Sequence, residues 1–184
     1  MTAELVDTDV QADWGPQRSR TVTWHSPGPT TAKGLSMSGI DYLRAMVDGD
    51  LPQAPIAGLM QFGLVEVEPG RAVFTCVPDE SAYNPIGAIH GGLICTLLDS
   101  VTGCAVHTTL PQGKGYTSVE IKVNYLNAVR LTSGLLTATG TVVKTGSRVG
   151  FAEGVITDAS GAVVATATST LLIFDSPQRA DPGL

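Results

Sequence analysis

Residues 84–107 read NPIGAIHGGLICTLLDSVTGCAVH, and the fold turns on how this stretch is organised. From Gly92 to His107 the run is long, apolar and without strict alternation. That predicts a helix, apolar nearly all round and therefore buried. A His-Gly-Gly turn precedes it, and one carboxylate, Asp99, sits near its middle. A charge is costly to bury unpaired, so Asp99 is either matched by a structural partner or held at a pocket wall for chemistry.

The flanking segments say what this helix packs against. Upstream, SMSGIDYLRAMVDGDLP predicts a short helix with Ser38 as N-cap and Ile40, Leu43 and Met46 or Val47 on its apolar face; Gly49 and Pro52 end it. LMQFGLVEVEPGRAVFTCVP predicts a hairpin turning at Pro69-Gly70. Everything downstream is strand signal. YTSVEIKVNYLN alternates Val119, Ile121, Val123 and Tyr125 against Ser118, Glu120, Lys122 and Asn124. GLLTATGTVVKTG, RVGFAEGVITDASG and AVVATATSTLLIF follow, with turns at Thr145-Gly146 and Ser160-Gly161. Consecutive hairpins favour an antiparallel sheet packed on the helix, an α+β fold.

Residues 1–36, rich in Thr, Ser, Pro and Gly, predict an arm that is disordered at first, with RTVTWH a short strand packing through Trp24. The domain is expected over 37–175 and a tail over 176–184.

At 184 residues, 43% hydrophobic and 15% charged, the chain fits one globular domain with an arm. Its net charge is −6 and its 11 Lys and Arg form no basic run, which argues against nucleic acid as a partner. Cys76, Cys95 and Cys104 have no metal-ligand spacing and are expected as buried, reduced thiols in a cytoplasmic protein. The acidic N-terminus does not read as a secretory signal, and no segment approaches the ~20 apolar residues that span a bilayer.

Several residues around the helix start carry chemical potential. Helix N-termini leave N–H groups free and partly positive, and glycine lets a ligand approach, so Gly91 and Gly92 suit an oxyanion. His90 either holds that loop or touches a ligand. Asn84 forms a turn or positions a water or carbonyl through its amide. His107, late in the helix, reads as a structural cation favoured by the C-terminal dipole. A zinc site from His90, Asp99 and His107 lacks ligand spacing. Gly91 and Asp99 lie eight residues apart, roughly 12 Å along a helix at ~1.5 Å per residue. One carbonyl cannot sit about 3 Å from both. Two antiparallel helices across a two-fold axis would bring one chain's Asp99 to the other's Gly91, which predicts a dimer with shared sites.

The pattern Asn84, His90-Gly91-Gly92, Asp99 resembles the signature of hotdog-fold acyl-CoA thioesterases, in the phenylacetate-pathway and Asp/Glu-nucleophile 4-hydroxybenzoyl-CoA branch. The likeness runs over roughly residues 36–175. It implies a hotdog fold, an antiparallel sheet wrapped around a long central helix. It implies Asp99 as nucleophile or general base, Gly91 N–H polarising the thioester carbonyl, and Asn84 placing the carbonyl or water. It further implies His90 supporting the loop and Ser118 near the attacking water. Thr117, beside it and expected on the other sheet face, is a candidate substrate contact together with Gly92. Lys144, Ser147 and Arg148 in KTGSR are candidate coenzyme A contacts, Lys114 less so. The resemblance implies dimers pairing into tetramers, acyl-CoA as the partner, no cofactor beyond it and no membrane. Relatives often carry Arg-Pro after the aromatic strand, where this chain has Asn127-Ala128. The rivals are a non-catalytic acyl-CoA-binding protein and an acyl-CoA hydratase or dehydratase. The latter is disfavoured because His107 lies two turns from Asp99.

Overall fold

A computed structural model of the chain describes residues 15–176. Three helices come first: α1 (Pro27–Gly34), α2 (Gly39–Val47) and α3 (Pro55–Met60). The hairpin β1 (Phe62–Glu68) and β2 (Arg71–Cys76) precedes the long helix α4 (Gly91–His107). Four strands complete the order: β3 (Lys114–Tyr125), β4 (Leu136–Thr145), β5 (Val149–Thr157) and β6 (Val163–Asp175). All pair antiparallel in one six-stranded sheet, in the order β1-β2-β4-β5-β6-β3. This is the hotdog fold, α+β, with α4 packed on one face of the sheet.

Glycines let the helix sit close to the sheet. A Cβ on Gly140 would lie 2.3 Å from the Val101 carbonyl oxygen, and one on Gly154 would meet Leu98 and Thr102 at 3.0 Å. Gly140 and Gly154 are register partners on β4 and β5, so they form a trough directly under α4. Leu93, Ile94, Leu97, Leu98 and Val101 fill the space beneath the helix with Phe74, Leu136 and Ile156.

Ser38 caps α2 as expected, its hydroxyl accepting from the Asp41 N–H, and the β1–β2 turn and both later hairpin turns fall where the sequence puts them. Other expectations are corrected. RTVTWH forms no strand: the segment is irregular, and Trp24 is 65% exposed. The arm instead contains α1, begun by Pro27 at a helix N-terminus, where its missing N–H costs nothing. The expected disorder at the start of the arm and the tail beyond residue 176 lie outside the described residues. The last four strands are not successive hairpins, because β3 crosses to the far edge and pairs with β6. A bulge between Ser118 and Glu120 breaks the β3 alternation. Val119 is therefore 60% exposed, while Ile121 and Val123 still pack on the core.

Helix α4 is not buried all round. Gly91, Cys95, Thr96, Asp99, Ser100, Cys104 and His107, at helical spacing, form a stripe the chain's own sheet leaves only half covered. Cys76 is buried, but Cys95 and Cys104 lie on this stripe; all three are free thiols. No helix among the described residues is long and apolar enough to cross a membrane.

Candidate active site

Asp99 finds its partner on β3. Ser118 Oγ donates a 2.7 Å hydrogen bond to Asp99 Oδ1. The bulge explains the geometry: by placing Val119 out of phase, it turns Ser118 to the same side as Ile121 and Val123, toward α4. Thr117 is exposed beside it and makes no such contact.

Beside this pair lies a cavity of about 420 Å³. Asp99 and Ser118 stand at one wall, and Met46, Ile56, Phe62 and Phe74 supply apolar surface. Helices α2 and α3 form its roof. Gln53 ties that roof to the sheet: its Nε2 donates to Leu64 O, and its Oε1 accepts from Leu64 N–H, both at 3.0 Å. Leu93, Leu97 and Leu98 do not line this cavity and belong to the core.

The second group of residues gathers at the start of α4. His90 is the N-cap, and its Nδ1 accepts the Gly92 N–H at 2.8 Å. Gly92's donor is thus committed to the cap. The Gly91 N–H is the one in this turn left for a ligand, with no side chain or loop carbonyl among the described residues accepting it. Asn84 Oδ1 accepts from the N–H groups of Ile86 and Ala88, folding the loop, and its Nδ2 has no partner among the described residues. A cavity of about 470 Å³ opens here, lined by Asn84, His90, Gly91, Tyr125, Asn127 and Ala128 among others. The sequence reading missed Tyr125, whose hydroxyl donates to Gly91 O at 3.1 Å. Its ring would stand 3.2 Å from a Cβ at position 91, a tight contact that a shift of the exposed ring by a few tenths of an ångström relieves. Where relatives carry Arg-Pro, Asn127 Nδ2 donates to Val163 O at 2.8 Å and fastens the loop to β6.

Within one chain these two groups stay apart, at opposite ends of eight residues of helix. Lys144, Ser147 and Arg148 join neither: their hairpin lies at the C-terminal end of α4, where Thr145 Oγ1 meets Thr109 Oγ1 at 3.1 Å. Lys114 is ion-paired with Asp175 at 2.6 Å. His107 is not a helix-end cation. Burial between α2 and β3 lowers its pKa to about 4, so it is neutral at pH 7. Burial also pushes the neighbouring Cys104 thiol up to about 12. No group of His, Cys, Asp and Glu among the described residues is placed to hold a metal.

A six-stranded sheet around one helix, with a carboxylate on the helix and a glycine-rich cap at its start, defines the hotdog class. Residues 86–165 match the thioesterase superfamily. Human acyl-coenzyme A thioesterase 13 is 30% identical over 108 residues, 58% of this chain and 76% of that protein. A phenylacetic acid degradation-related protein of Ralstonia eutropha is 27% identical with a TM-score of 0.65, over 71% of this chain and 98% of that one. A Streptococcus mutans protein bound to acetyl CoA is 28% identical with a TM-score of 0.57, over 62% of this chain and 90% of that one. The chain belongs to the thioesterase superfamily.

Proposed function

We propose that the protein hydrolyses acyl-CoA thioesters at sites shared between the two chains of a dimer. The observation that carries this reading is Asp99: a carboxylate on the half-covered stripe of α4, hydrogen-bonded by Ser118 beside an apolar cavity. The Gly91 donor is too distant to serve the same carbonyl. A partner helix running antiparallel over the stripe would bring its own Gly91 there. Strand β3 is a free sheet edge next to that stripe, so one partner would cover both. The relatives supply the substrate class, acyl esters of coenzyme A. Likeness to the phenylacetic acid degradation-related protein favours aryl acyl groups over short and medium chains. Pairing of dimers into a tetramer and a cytoplasmic location with reduced thiols complete the reading.

In this mechanism the acyl group occupies the apolar cavity, and the carbonyl oxygen accepts from the partner's Gly91 N–H at the positive end of its helix. Asp99 attacks the carbonyl carbon, the C–S bond breaks, and coenzyme A leaves as thiolate. Water then hydrolyses the acyl-aspartyl anhydride. Alternatively, Asp99 takes a proton from a water that attacks directly. The Nδ2 of Asn84 then holds the carbonyl or the water, and His90 fixes the loop. The coenzyme A moiety belongs to the substrate, and neither route calls on a further cofactor.

The test is thiol release from aryl and aliphatic acyl-CoAs by the wild type and by Asp99→Asn. Asparagine keeps the shape and still accepts from Ser118, so the variant should fold. The expected loss is on the order of 10²–10⁴ in kcat. Binding of the esters with no thiol release by the wild type would make this a binding protein instead.

A further inference from the structure

The loop leading into α4 presents an apolar side chain that its own folding does not call for. Asn84-Pro85-Ile86-Gly87 is a tight turn, closed by the Gly87 N–H donating to Asn84 O at 3.2 Å. Asn first, Pro second and Gly fourth suit such a turn, and nothing in it asks for a β-branched apolar residue third. Yet Ile86 stands there 88% exposed, the most exposed large apolar side chain among the described residues. A lone exposed apolar residue is ordinary on a mobile surface. This one is held in place. The Ile86 N–H donates to Asn84 Oδ1 at 3.1 Å. The Asn84 N–H donates to Ala88 O at 2.8 Å and the His90 N–H to Ala82 O at 2.7 Å, which braces the turn against the cap of α4. Ile86 also lines the same cavity of about 470 Å³ as Asn84 and Gly91.

From this arrangement we infer that Ile86 of one chain borders the acyl group bound at the partner's Asp99, at the carbon next to the carbonyl, and selects against branching there. The inference rests on the shared-site reading above. In that reading Gly91 serves the carbonyl that the partner's Asp99 attacks. The turn is bonded to the cap of α4, so it goes wherever Gly91 goes, and Ile86 arrives with it. The Gly91 N–H and the Asn84 amide take the carbonyl oxygen or the water. Ile86, two residues from Asn84 and on the same cavity, meets the adjoining carbon. A β-branched side chain on a braced turn has little freedom to move aside, so a substituent on that carbon meets fixed bulk. The rest of the acyl group lies among Met46, Ile56, Phe62 and Phe74 in the Asp99 cavity. Length is thus read by the chain that supplies the carboxylate, and branching beside the carbonyl by its partner.

The experiment compares pairs of esters that differ only by a methyl on the carbon next to the carbonyl: butyryl- against 2-methylbutyryl-CoA, and phenylacetyl- against 2-phenylpropanoyl-CoA. Ile86→Ala should raise kcat/KM for the branched ester, relative to the unbranched one, by about tenfold, the discrimination one methyl-sized space supplies. The side chain is exposed, so the substitution leaves the fold intact. Mixed dimers then locate the residue. An Asp99→Ala chain paired with a Gly91→Pro chain keeps one working site, which takes Gly91 and its turn from the Asp99→Ala chain. Ile86→Ala added to that chain should reproduce the tenfold shift. Added to the Gly91→Pro chain it should not, because that copy of the turn belongs to the dead site. A ratio unchanged by Ile86→Ala, an equal change for both members of each pair, or the same shift from either chain overturns the inference. An unchanged ratio together with a more easily dissociated dimer would make Ile86 an interface contact instead. If the wild type releases no thiol, Kd is read for the same pairs. Branched esters then binding about tenfold better, relative to unbranched ones, after Ile86→Ala would keep the inference while the thioesterase reading falls.

Discussion

Ser118 Oγ donates to Asp99 Oδ1 at 2.7 Å, joining the middle of α4 to the bulge on β3. The bond fixes which way the carboxylate faces. It also answers why an acid occurs in so apolar a helix: Asp99 lies on the half-covered stripe of α4, at the wall of a cavity, and not on the face packed into the core.

Removing that donor should therefore disturb catalysis more than binding. Ser118→Ala is expected to lower kcat by about tenfold to 100-fold, the cost of a hydrogen bond to a charged group, with KM little changed. Ser118→Thr should recover most of the rate, since the hydroxyl returns and β-branching suits a strand. Steady-state kinetics on the best substrate of the panel separates the two parameters. An Ala variant as fast as wild type would mean that Asp99 needs no orienting partner.

The glycine trough makes a prediction about stability alone. In Gly140→Ala the new Cβ meets backbone of α4 at 2.3 Å, which cannot swing aside as a side chain can. The helix must lift from the sheet, at a cost of about 3 kcal/mol or more. At about 2–4 °C per kcal/mol for a domain of this size, Tm should fall by roughly 6–12 °C in a thermal melt.

His107 gives the fold a pH dependence whose sign is fixed by burial. Its folded pKa is lowered to about 4, below the unfolded value near 6.5. Between those values the unfolded chain binds a proton that the folded one does not. Its contribution to stability is therefore complete above about pH 6.5 and is lost as pH falls toward 4, by about 3 kcal/mol in all. Denaturant titrations across this range should show His107→Phe with a shallower decline than wild type. A parallel decline in both would assign the acid sensitivity elsewhere.

The order of elements could be read from periodicity because α4 and the later strands obey it. The helix has the length and the strands have the alternation, with glycine at Gly146 and Gly161 marking the turns. What periodicity could not show was anything set by distant packing. The bulge at Val119 shifts a face without changing the composition of the strand. Pairing of β3 with β6 depends on where the chain goes after α4, and the exposure of Trp24 in an irregular segment is likewise outside any local pattern. At the site, Asp99, Gly91, His90 and Asn84 were visible as residues whose chemistry disagreed with a plain apolar helix. Tyr125 was not, since an aromatic residue at the end of a strand needs no special explanation. His107 was placed correctly on the helix but given the wrong charge, because the dipole argument omitted the desolvation supplied by α2 and β3.

The central claim is that each site takes its carboxylate from one chain and its oxyanion donor from the other, and mixing two inactive variants tests it most directly. One is Asp99→Ala. The other is Gly91→Pro, which removes the donor at a first helical position where proline is well tolerated; His90, at ψ 134°, already has the conformation a pre-proline residue adopts. The Tyr125 ring need give only a few tenths of an ångström. Co-refolded in equal amounts, the two should regain about a quarter of wild-type turnover. Half the dimers would be mixed, and each of those would hold one intact site of two. Activity no greater than that of either parent, in a mixture shown to contain mixed dimers, would contradict the shared site.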